Sequence, residues 1–154
     1  MDEVVNHPTD TVMQAFPGTV LAVEPSATVR DVLEQLRSHN DGSVLVCREG
    51  KIAGIFTERD ALRIMANGSS LDVPVEQLMI SPPVTLLASD LIVTAINRMS
   101  SGGFRRLPIV DAEQRPVGML LVAGLLHYMV QHFPEAVYNL PPQPKTQQQS
   151  REGS

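Results

Sequence analysis

The chain has 154 residues, of which 43% are hydrophobic, and a formal net charge of −5. This length suits one compact domain or two small subdomains that share a core, and the hydrophobic fraction excludes wholesale disorder. The charge provides no basic surface of the kind that nucleic acids require, so we expect no nucleic-acid partner.

Neither the cysteine content nor the apolar runs indicate a secreted or membrane protein. The single cysteine, Cys47, excludes a disulfide framework and favours a reducing compartment, so we expect a cytoplasmic protein. The longest apolar run, residues 117–130, is shorter than the roughly 20 residues that span a bilayer. It predicts a buried strand that leads into a helix. The first ten residues lack the apolar core of a signal peptide.

The two ends of the chain differ from its centre. Residues 1–16 form an N-terminal segment in which Val12, Met13 and Phe16 are candidates for docking on the core. Residues 141–154 are rich in proline and glutamine without periodicity, which predicts a disordered tail.

An apolar pattern between these ends recurs after about 63 residues. Residues 21–23 and 84–86 alternate in polarity and predict two short strands. Each strand is followed by an apolar stripe with helical spacing, which predicts one helix per copy. The two stripes are Val29, Leu33 and Leu36, and Ile92, Ile96 and Met99.

Each copy continues with a predicted hairpin and a closing helix. Apolar strands at 44–47 and 107–110 are each followed by a polar turn and a further strand. Ser26 and Ser89 are expected to cap the first helix of each copy. The closing helices are marked by Leu62 and Met65, and by Leu126 and Met129.

Each copy therefore has the order β-α-β-β-α, and the predicted fold class is α+β, similar to an α/β sandwich. The copies span 17–66 and 84–140, with a linker at 67–83 in which Val75–Met79 predicts one helical turn. Neither copy buries enough surface alone, so we expect the two to pack as a pseudo-twofold pair. Such a pair has two clefts between its halves, and clefts of this kind commonly bind ligands.

Two segments resemble signatures of the cystathionine-β-synthase (CBS) domain family. Residues 54–60, GIFTERD, are similar to its ribose-binding signature, and residues 102–111, GGFRRLPIVD, to its second-strand signature. The stretch 132–142 looks like the tail of small stand-alone bacterial members. The resemblance implies a tandem CBS pair, or Bateman module, that binds adenosine-containing ligands between its repeats. It also implies a regulatory protein and not an enzyme.

The ribose-binding signature places a hydroxyl and a carboxylate together. Thr57 at the N-cap and Asp60 three residues later lie side by side at a helix start, where unpaired N–H groups favour a phosphate. A carboxylate can accept both vicinal hydroxyls of a ribose. The resemblance assigns Asp60 to the ribose and Thr57 to the phosphate side. Thr-x-x-Asp is also a capping box, which would explain both residues structurally.

The second copy has Leu121 and Gly124 at the matching positions. Its closing helix thus starts without the box, which favours a ligand role for Thr57 and Asp60. The second cleft should bind ribose weakly, bind another molecule or stay empty. We therefore predict one functional adenosine site per chain.

The remaining candidate site residues would contact phosphate or adenine. The resemblance implies a phosphate contact for Arg105 or Arg106, and the alternative is an ordinary solvated pair. Because side chains alternate along a strand, at most one of the two faces a given cleft. An adenine ring needs an apolar slot with backbone hydrogen bonds. By analogy with the family, the slot would be lined by Val20, Leu21, Val44, Gly54 and Ile55. The alternative for each of these residues is an ordinary place in the hydrophobic core.

Other chemistry-bearing residues do not form a recognisable centre. His7, His39, His127 and His132 are scattered, and the last two stand five apart on a helix, so we expect no metal site. Cys47 is predicted to be a small buried hydrophobe. No nucleophile–base pair, phosphate loop or dinucleotide fingerprint stands out, so an enzyme is the weakest interpretation.

The favoured interpretation is a regulatory module that binds AMP, ADP or ATP, with or without Mg²⁺, and signals through its conformation or partner surface. No resident cofactor is required. The alternative is a constitutive dimerisation module with a vestigial ligand site. The expected partners are a second copy, through the helices after Thr57 and Val122, and a separate effector protein.

Overall fold

A computed structural model of the chain describes residues 10–39 and 42–132. The predicted order β-α-β-β-α is present in both copies, so the α+β class is confirmed. The predicted tail, His7 and the stretch after His132 lie outside the described residues. The first copy contains β1 (Ala22–Val23), α1 (Val29–His39), β2 (Ser43–Arg48), β3 (Lys51–Thr57) and α2 (Glu58–Asn67). The second contains β4 (Leu86–Leu87), α3 (Ile92–Gly102), β5 (Arg106–Val110), β6 (Pro116–Leu121) and α4 (Val122–His132).

Two three-stranded sheets hold the strands, in the orders β1-β2-β3 and β4-β5-β6. β1 runs parallel to β2, whereas β2 and β3 are antiparallel, with Ser43 directly opposite Thr57. Glu49 and Gly50 join β2 to β3 and both have positive φ angles, which suits the twist of a two-residue hairpin. The hairpin at this polar turn is therefore confirmed.

The described chain divides into two compact units. One unit, which we call the Asp60 unit, consists of Thr19–Thr85 and Val110–Val117. The other, the Gly124 unit, consists of the described residues up to Gly18, Leu86–Ile109, and the described residues from Gly118.

Each unit has a hydrophobic core of its own. In the Asp60 unit, apolar side chains of α1, β2, β3 and α2 surround Phe56, which is fully buried. In the Gly124 unit, side chains of α3, β5, β6 and α4 surround the ring of Tyr128. The predicted helix stripes supply part of both cores, since Val29 and Ile92 are buried in them.

A leading segment precedes the first strand of each copy. We call residues 10–18 the N-terminal lead and residues 73–81 the linker lead. Each contains one 3₁₀ turn, Val12–Gln14 or Val75–Gln77, whose first residue is fully buried. The second of these is the helical turn that the sequence predicts in the linker.

Each lead pairs with elements of the other copy. The backbone bridges occur at matching positions, so the structural repeat begins ahead of the first strand. The bridges are Thr11 with Leu91 and Gly18 with Met119 in the Gly124 unit, and Pro74 with Thr28 and Ile80 with Ile55 in the Asp60 unit.

The predicted docking of the N-terminal segment holds for only some of its residues. Val12 is buried as expected, but Met13 and Phe16 are exposed, and Ala15 is buried instead. In a 3₁₀ turn, residues three apart lie on the same side, so Val12 and Ala15 face the core together.

The first helix of each copy starts at a residue other than the predicted serine. α1 begins after Thr28, whose hydroxyl accepts a hydrogen bond from the N–H of Asp31 at 3.1 Å, so Ser26 is not its cap. α3 begins after Leu91 without a side-chain cap, so the prediction for Ser89 is also wrong. The first N–H of each helix donates to a carbonyl of a lead, and this pairing decides where the helix begins.

α2 begins with a complete capping box formed by Thr57 and Asp60. The backbone N–H and the hydroxyl of Thr57 donate to Oδ2 of Asp60 at 2.9 and 3.0 Å. The N–H of Asp60 donates in return to the Thr57 hydroxyl at 3.3 Å. The box therefore satisfies N–H groups that have no partner within the helix.

Thr57→Ala is expected to lower the free energy of unfolding by about 1 kcal/mol, the usual effect of losing an N-cap side chain. Urea unfolding followed by circular dichroism measures this change. Thr57→Ser, which keeps the hydroxyl, is the matched control and should be clearly less destabilised. Equal losses in both variants would contradict the capping role.

Candidate functional site

Asp60 is a buried carboxylate whose two oxygens have different surroundings. The residue is 4% exposed, and its Oδ2 is engaged by Thr57 in the capping box. Its Oδ1 accepts a hydrogen bond from the Arg63 guanidinium at 3.1 Å, and that arginine is largely exposed. A carboxylate has about four lone-pair sites, so Oδ1 retains acceptor capacity beyond this contact.

Ser43 is a candidate site residue that the sequence reasoning missed. It lies directly opposite Thr57 in the β2–β3 pair, and residues opposite each other place their side chains on the same face. Ser43 and Asp60, each 4% exposed, are the buried non-aromatic polar residues of the described part. The Ser43 hydroxyl forms no hydrogen bond to another described residue. Only the strand register, which pairs it with Thr57, identifies it.

Arg105 and Arg106 lie in the Gly124 unit, beside the start of α4. Arg106 begins β5, and the carbonyl of Arg105 accepts a hydrogen bond from the N–H of Val122 at 3.0 Å. Arg105 is exposed and Arg106 is half-buried. Neither guanidinium forms an ion pair or hydrogen bond within the described part of the chain. No single unit therefore brings these arginines together with Thr57 and Asp60.

The residues predicted for an adenine slot lie in the Asp60 unit with differing access. Val20, Leu21 and Ile55 are half-buried, whereas Val44 is fully buried in the core. A Cβ added to Gly54 would lie 2.8 Å from the Met79 Cγ and 2.9 Å from the Ile80 carbonyl oxygen.

The backbone of Ile55 is also occupied. Its N–H donates to the Ile80 carbonyl at 3.1 Å, and its carbonyl accepts from the Ile80 N–H at 2.9 Å. The Ile55 N–H is therefore not free for an adenine ring, because each N–H supports one strong hydrogen bond, whereas the Ile55 carbonyl oxygen keeps a second lone pair.

A hollow of about 530 Å³ lies elsewhere in the Asp60 unit, at the hairpin end of β2. Cys47 lines it and is half-buried, not fully buried as the sequence predicts. Partial burial, together with the nearby Glu24 carboxylate, raises the pKa of the Cys47 thiol. Since Thr57 lies at the opposite end of the same strand pair, this hollow is separate from the candidate ribose site.

The described histidines contact rings or backbone. His127 packs edge-on against Phe16 with ring centroids 5.0 Å apart, and His132 stacks on Tyr128 at 4.3 Å. Across residues 10–39 and 42–132, no group of His, Cys, Asp and Glu is suited to hold a metal ion. None of the helices in those ranges is long and apolar enough to cross a membrane.

Sequence comparison relates both copies to one family. The CBS domain family matches residues 7–67 and 75–131. The chain is 32% identical over 116 residues to the CBS domain-containing protein YhcV of Bacillus subtilis, covering 75% of this chain and 82% of that protein. It is 33% identical over 118 residues to the arabinose 5-phosphate isomerase KdsD of Pseudomonas aeruginosa, of which it covers 36%.

Solved structures give the same relation. The complex of CBSX2 with AMP superimposes with a TM-score of 0.70 at 25% identity, covering 79% of this chain and 97% of that chain. The cytosolic domain of the Mg²⁺ channel MgtE, in complex with ATP, superimposes with a TM-score of 0.62 at 26% identity. That match covers 70% of this chain and 44% of the channel domain. With two matched repeats and the shared fold, the chain belongs to the CBS domain family.

Proposed function

We propose that the chain is a regulatory module that binds an adenine nucleotide, AMP, ADP or ATP, at the junction of β3 and α2. The observation that carries the proposal is the shared burial of Asp60 and Ser43 at this junction. The Ser43 hydroxyl, opposite Thr57 in the strand pair, can both donate and accept a hydrogen bond, and a ligand oxygen at this junction would be a suitable partner.

The roles within the site follow from the chemistry of the groups. Asp60 accepts the ribose hydroxyls through Oδ1, while its Oδ2 stays in the capping box. Arg63, which is exposed, gives up its contact with Oδ1 when the ribose binds. Thr57 lies on the phosphate side, where the N-terminal end of α2 favours an anion. Val20, Leu21 and Ile55 contact the adenine ring, with Val44 and Gly54 behind them.

The ligand class is supported by two solved relatives. CBSX2 is seen in complex with AMP, and the cytosolic domain of MgtE in complex with ATP. Both are at least 25% identical to this chain. An adenosine moiety is the part that the two ligands share, and it is the part that a carboxylate at a ribose site would recognise.

The proposed role is regulation and not catalysis. The free energy available for a conformational switch is limited to the difference in nucleotide affinity between two states. The conformation that the nucleotide favours would present a surface to a separate effector protein. One relative is an isomerase, but this chain covers only 36% of it.

AMP should raise the melting temperature by about 5–10 °C at 100 times its Kd, because binding at that excess adds about 2.7 kcal/mol to stability. Differential scanning fluorimetry measures the shift, with ADP, ATP and ATP plus Mg²⁺ as further arms. Asp60→Ala should abolish the response.

The matched control is Thr28→Ala, which removes the N-cap of α1 and leaves the proposed site intact. It should melt lower than the natural protein but keep the full AMP-dependent shift. A shift that survives in Asp60→Ala, or the absence of any nucleotide response in the natural protein, would refute the sensor and favour the module with a vestigial site.

Arg105 and Arg106 are proposed phosphate ligands because their guanidinium groups have no carboxylate partner in the described chain. Arg106→Ala should weaken ATP about tenfold, the effect of one charge-assisted hydrogen bond. Adenosine affinity should stay unchanged. Isothermal titration calorimetry measures both, and Arg37→Ala, which removes an ion-paired arginine of α1, is the control. Equal weakening of ATP and adenosine by Arg106→Ala would count against a phosphate contact.

The closing helices leave apolar side chains in solvent, which supports a homodimer. Leu62 on α2 is 66% exposed, and Leu126 on α4 is 59% exposed. Met65 and Val130 extend these two faces. Exposed apolar surface of this kind marks interaction sites, and a second copy of the chain is the proposed occupant.

The natural protein should have twice the mass of its 16.8 kDa chain in size-exclusion chromatography with light scattering. Leu62→Asp combined with Leu126→Asp should yield monomers, because burying two carboxylates in the interface is costly. Ser38→Asp, on the exposed face of α1, is the control and should remain a dimer. A monomeric natural protein at high concentration would contradict the dimer proposal.

A further inference from the structure

The Gly124 unit contains a position that corresponds to Asp60, at the start of α4, and the N-terminal lead lies against it. A Cβ added to Gly124 would be 2.8 Å from the Ala15 carbonyl oxygen and 3.4 Å from that of Phe16. Real Cβ contacts with backbone atoms are not this short, so residue 124 has room for a side chain only if the lead moves. At the matching position of the other unit, Asp60 carries a side chain that contacts Thr57 and Arg63.

The N-terminal lead is held in this course by several contacts within the Gly124 unit. Gly18 and Met119 exchange backbone hydrogen bonds of 2.8 and 3.1 Å, and the Val12 N–H donates to the Asp90 carbonyl at 2.9 Å. Val12 and Ala15 are fully buried. A displacement of the lead would break these bonds and expose both side chains, so the lead does not yield to a side chain at position 124 without loss of stability.

Phe16 makes the N-terminal lead different from the linker lead. Its φ is 55°, in the left-handed region that bulky side chains seldom adopt, and its ring packs on His127. Leu78, which matches Phe16 when the bridges of Gly18 and Ile80 are aligned, has a φ of −123°, and the φ of the next residue, Met79, is also negative. The two leads therefore differ in backbone conformation at this point.

We infer that the N-terminal lead fills the second ribose position, and that Gly124 is the residue that admits it and so limits the chain to one nucleotide. The inference rests on the proposed function, because it takes the Asp60 position as the nucleotide site. A carboxylate at 124 and the present course of the lead exclude each other. Leu121, in place of the Thr57 hydroxyl, adds an apolar side chain to the same position.

The first experiment does not depend on nucleotide. Gly124 lies near the start of α4, within a helix, where alanine is normally favoured over glycine. Gly124→Ala should nevertheless lower the melting temperature by roughly 2–10 °C, because the added methyl overlaps the Ala15 carbonyl. Gly18→Ala is the control from the same lead, since its nearest non-neighbouring atom would be 3.8 Å away, and it should change little. An unchanged or raised melting temperature for Gly124→Ala would overturn the inference.

The second experiment counts AMP molecules per chain by equilibrium dialysis. The natural protein should bind one, and Leu121→Thr should still bind one, because it restores the hydroxyl but leaves the N-terminal lead against Gly124. Two molecules per chain in either protein would overturn the inference. If neither protein binds AMP, the nucleotide proposal is refuted. If Gly124→Ala is nevertheless destabilised and Gly18→Ala is not, the finding that the N-terminal lead fills this position is still supported.

Discussion

The pairing of each β-hairpin with the lead of the other copy is the constraint on which the local structure depends. β3 and β6 are edge strands of their sheets, and an unpaired edge leaves backbone N–H and C=O groups without partners. Ile80 supplies those partners to Ile55, and Gly18 supplies them to Met119. Carbonyl groups of the same leads also accept hydrogen bonds from the first N–H of α1 and of α3. In each unit, one lead therefore contacts both the edge of the hairpin and the start of the first helix.

The same pairing leads to opposite results at the starts of the closing helices. In both hairpins a glycine, Gly54 or Gly118, lies where a lead crosses the edge strand. Beyond that crossing, the Asp60 unit has a buried carboxylate at the start of its closing helix. The matching residue of the Gly124 unit is a glycine, and the backbone of the N-terminal lead lies where a side chain would be. The same pairing between a lead and an edge strand thus occurs beside a polar helix start in one unit and beside a filled helix start in the other.

Local stability and ligand recognition share one carboxylate in the Asp60 unit. Oδ2 of Asp60 is committed to the capping box, where its partners are the backbone and hydroxyl of Thr57. Oδ1 faces a single exposed guanidinium, that of Arg63. The division between the two oxygens explains how one residue can cap α2 and still be able to accept ribose hydroxyls.

The sequence by itself determined the order of the elements, the hairpins and the capping box of α2. These features follow from apolar periods of two and 3.6 and from residues three positions apart, which are all local relations. The sequence predicts caps for α1 and α3 at Ser26 and Ser89, but the helices begin after Thr28 and Leu91, and their first N–H groups donate to the leads. The start of α3 has no side-chain cap, and its first N–H donates to Asp10, a distant residue that local propensity cannot indicate.

Only the tertiary structure decided the composition of the candidate site. It placed Ser43 opposite Thr57 through strand register, and it put Arg105 and Arg106 in a different unit from Asp60. It also set the backbone of the N-terminal lead against Gly124, which makes the glycine a requirement of packing. Each of these relations joins residues that are distant in sequence, and their separation is fixed by the folded backbone and not by any local pattern.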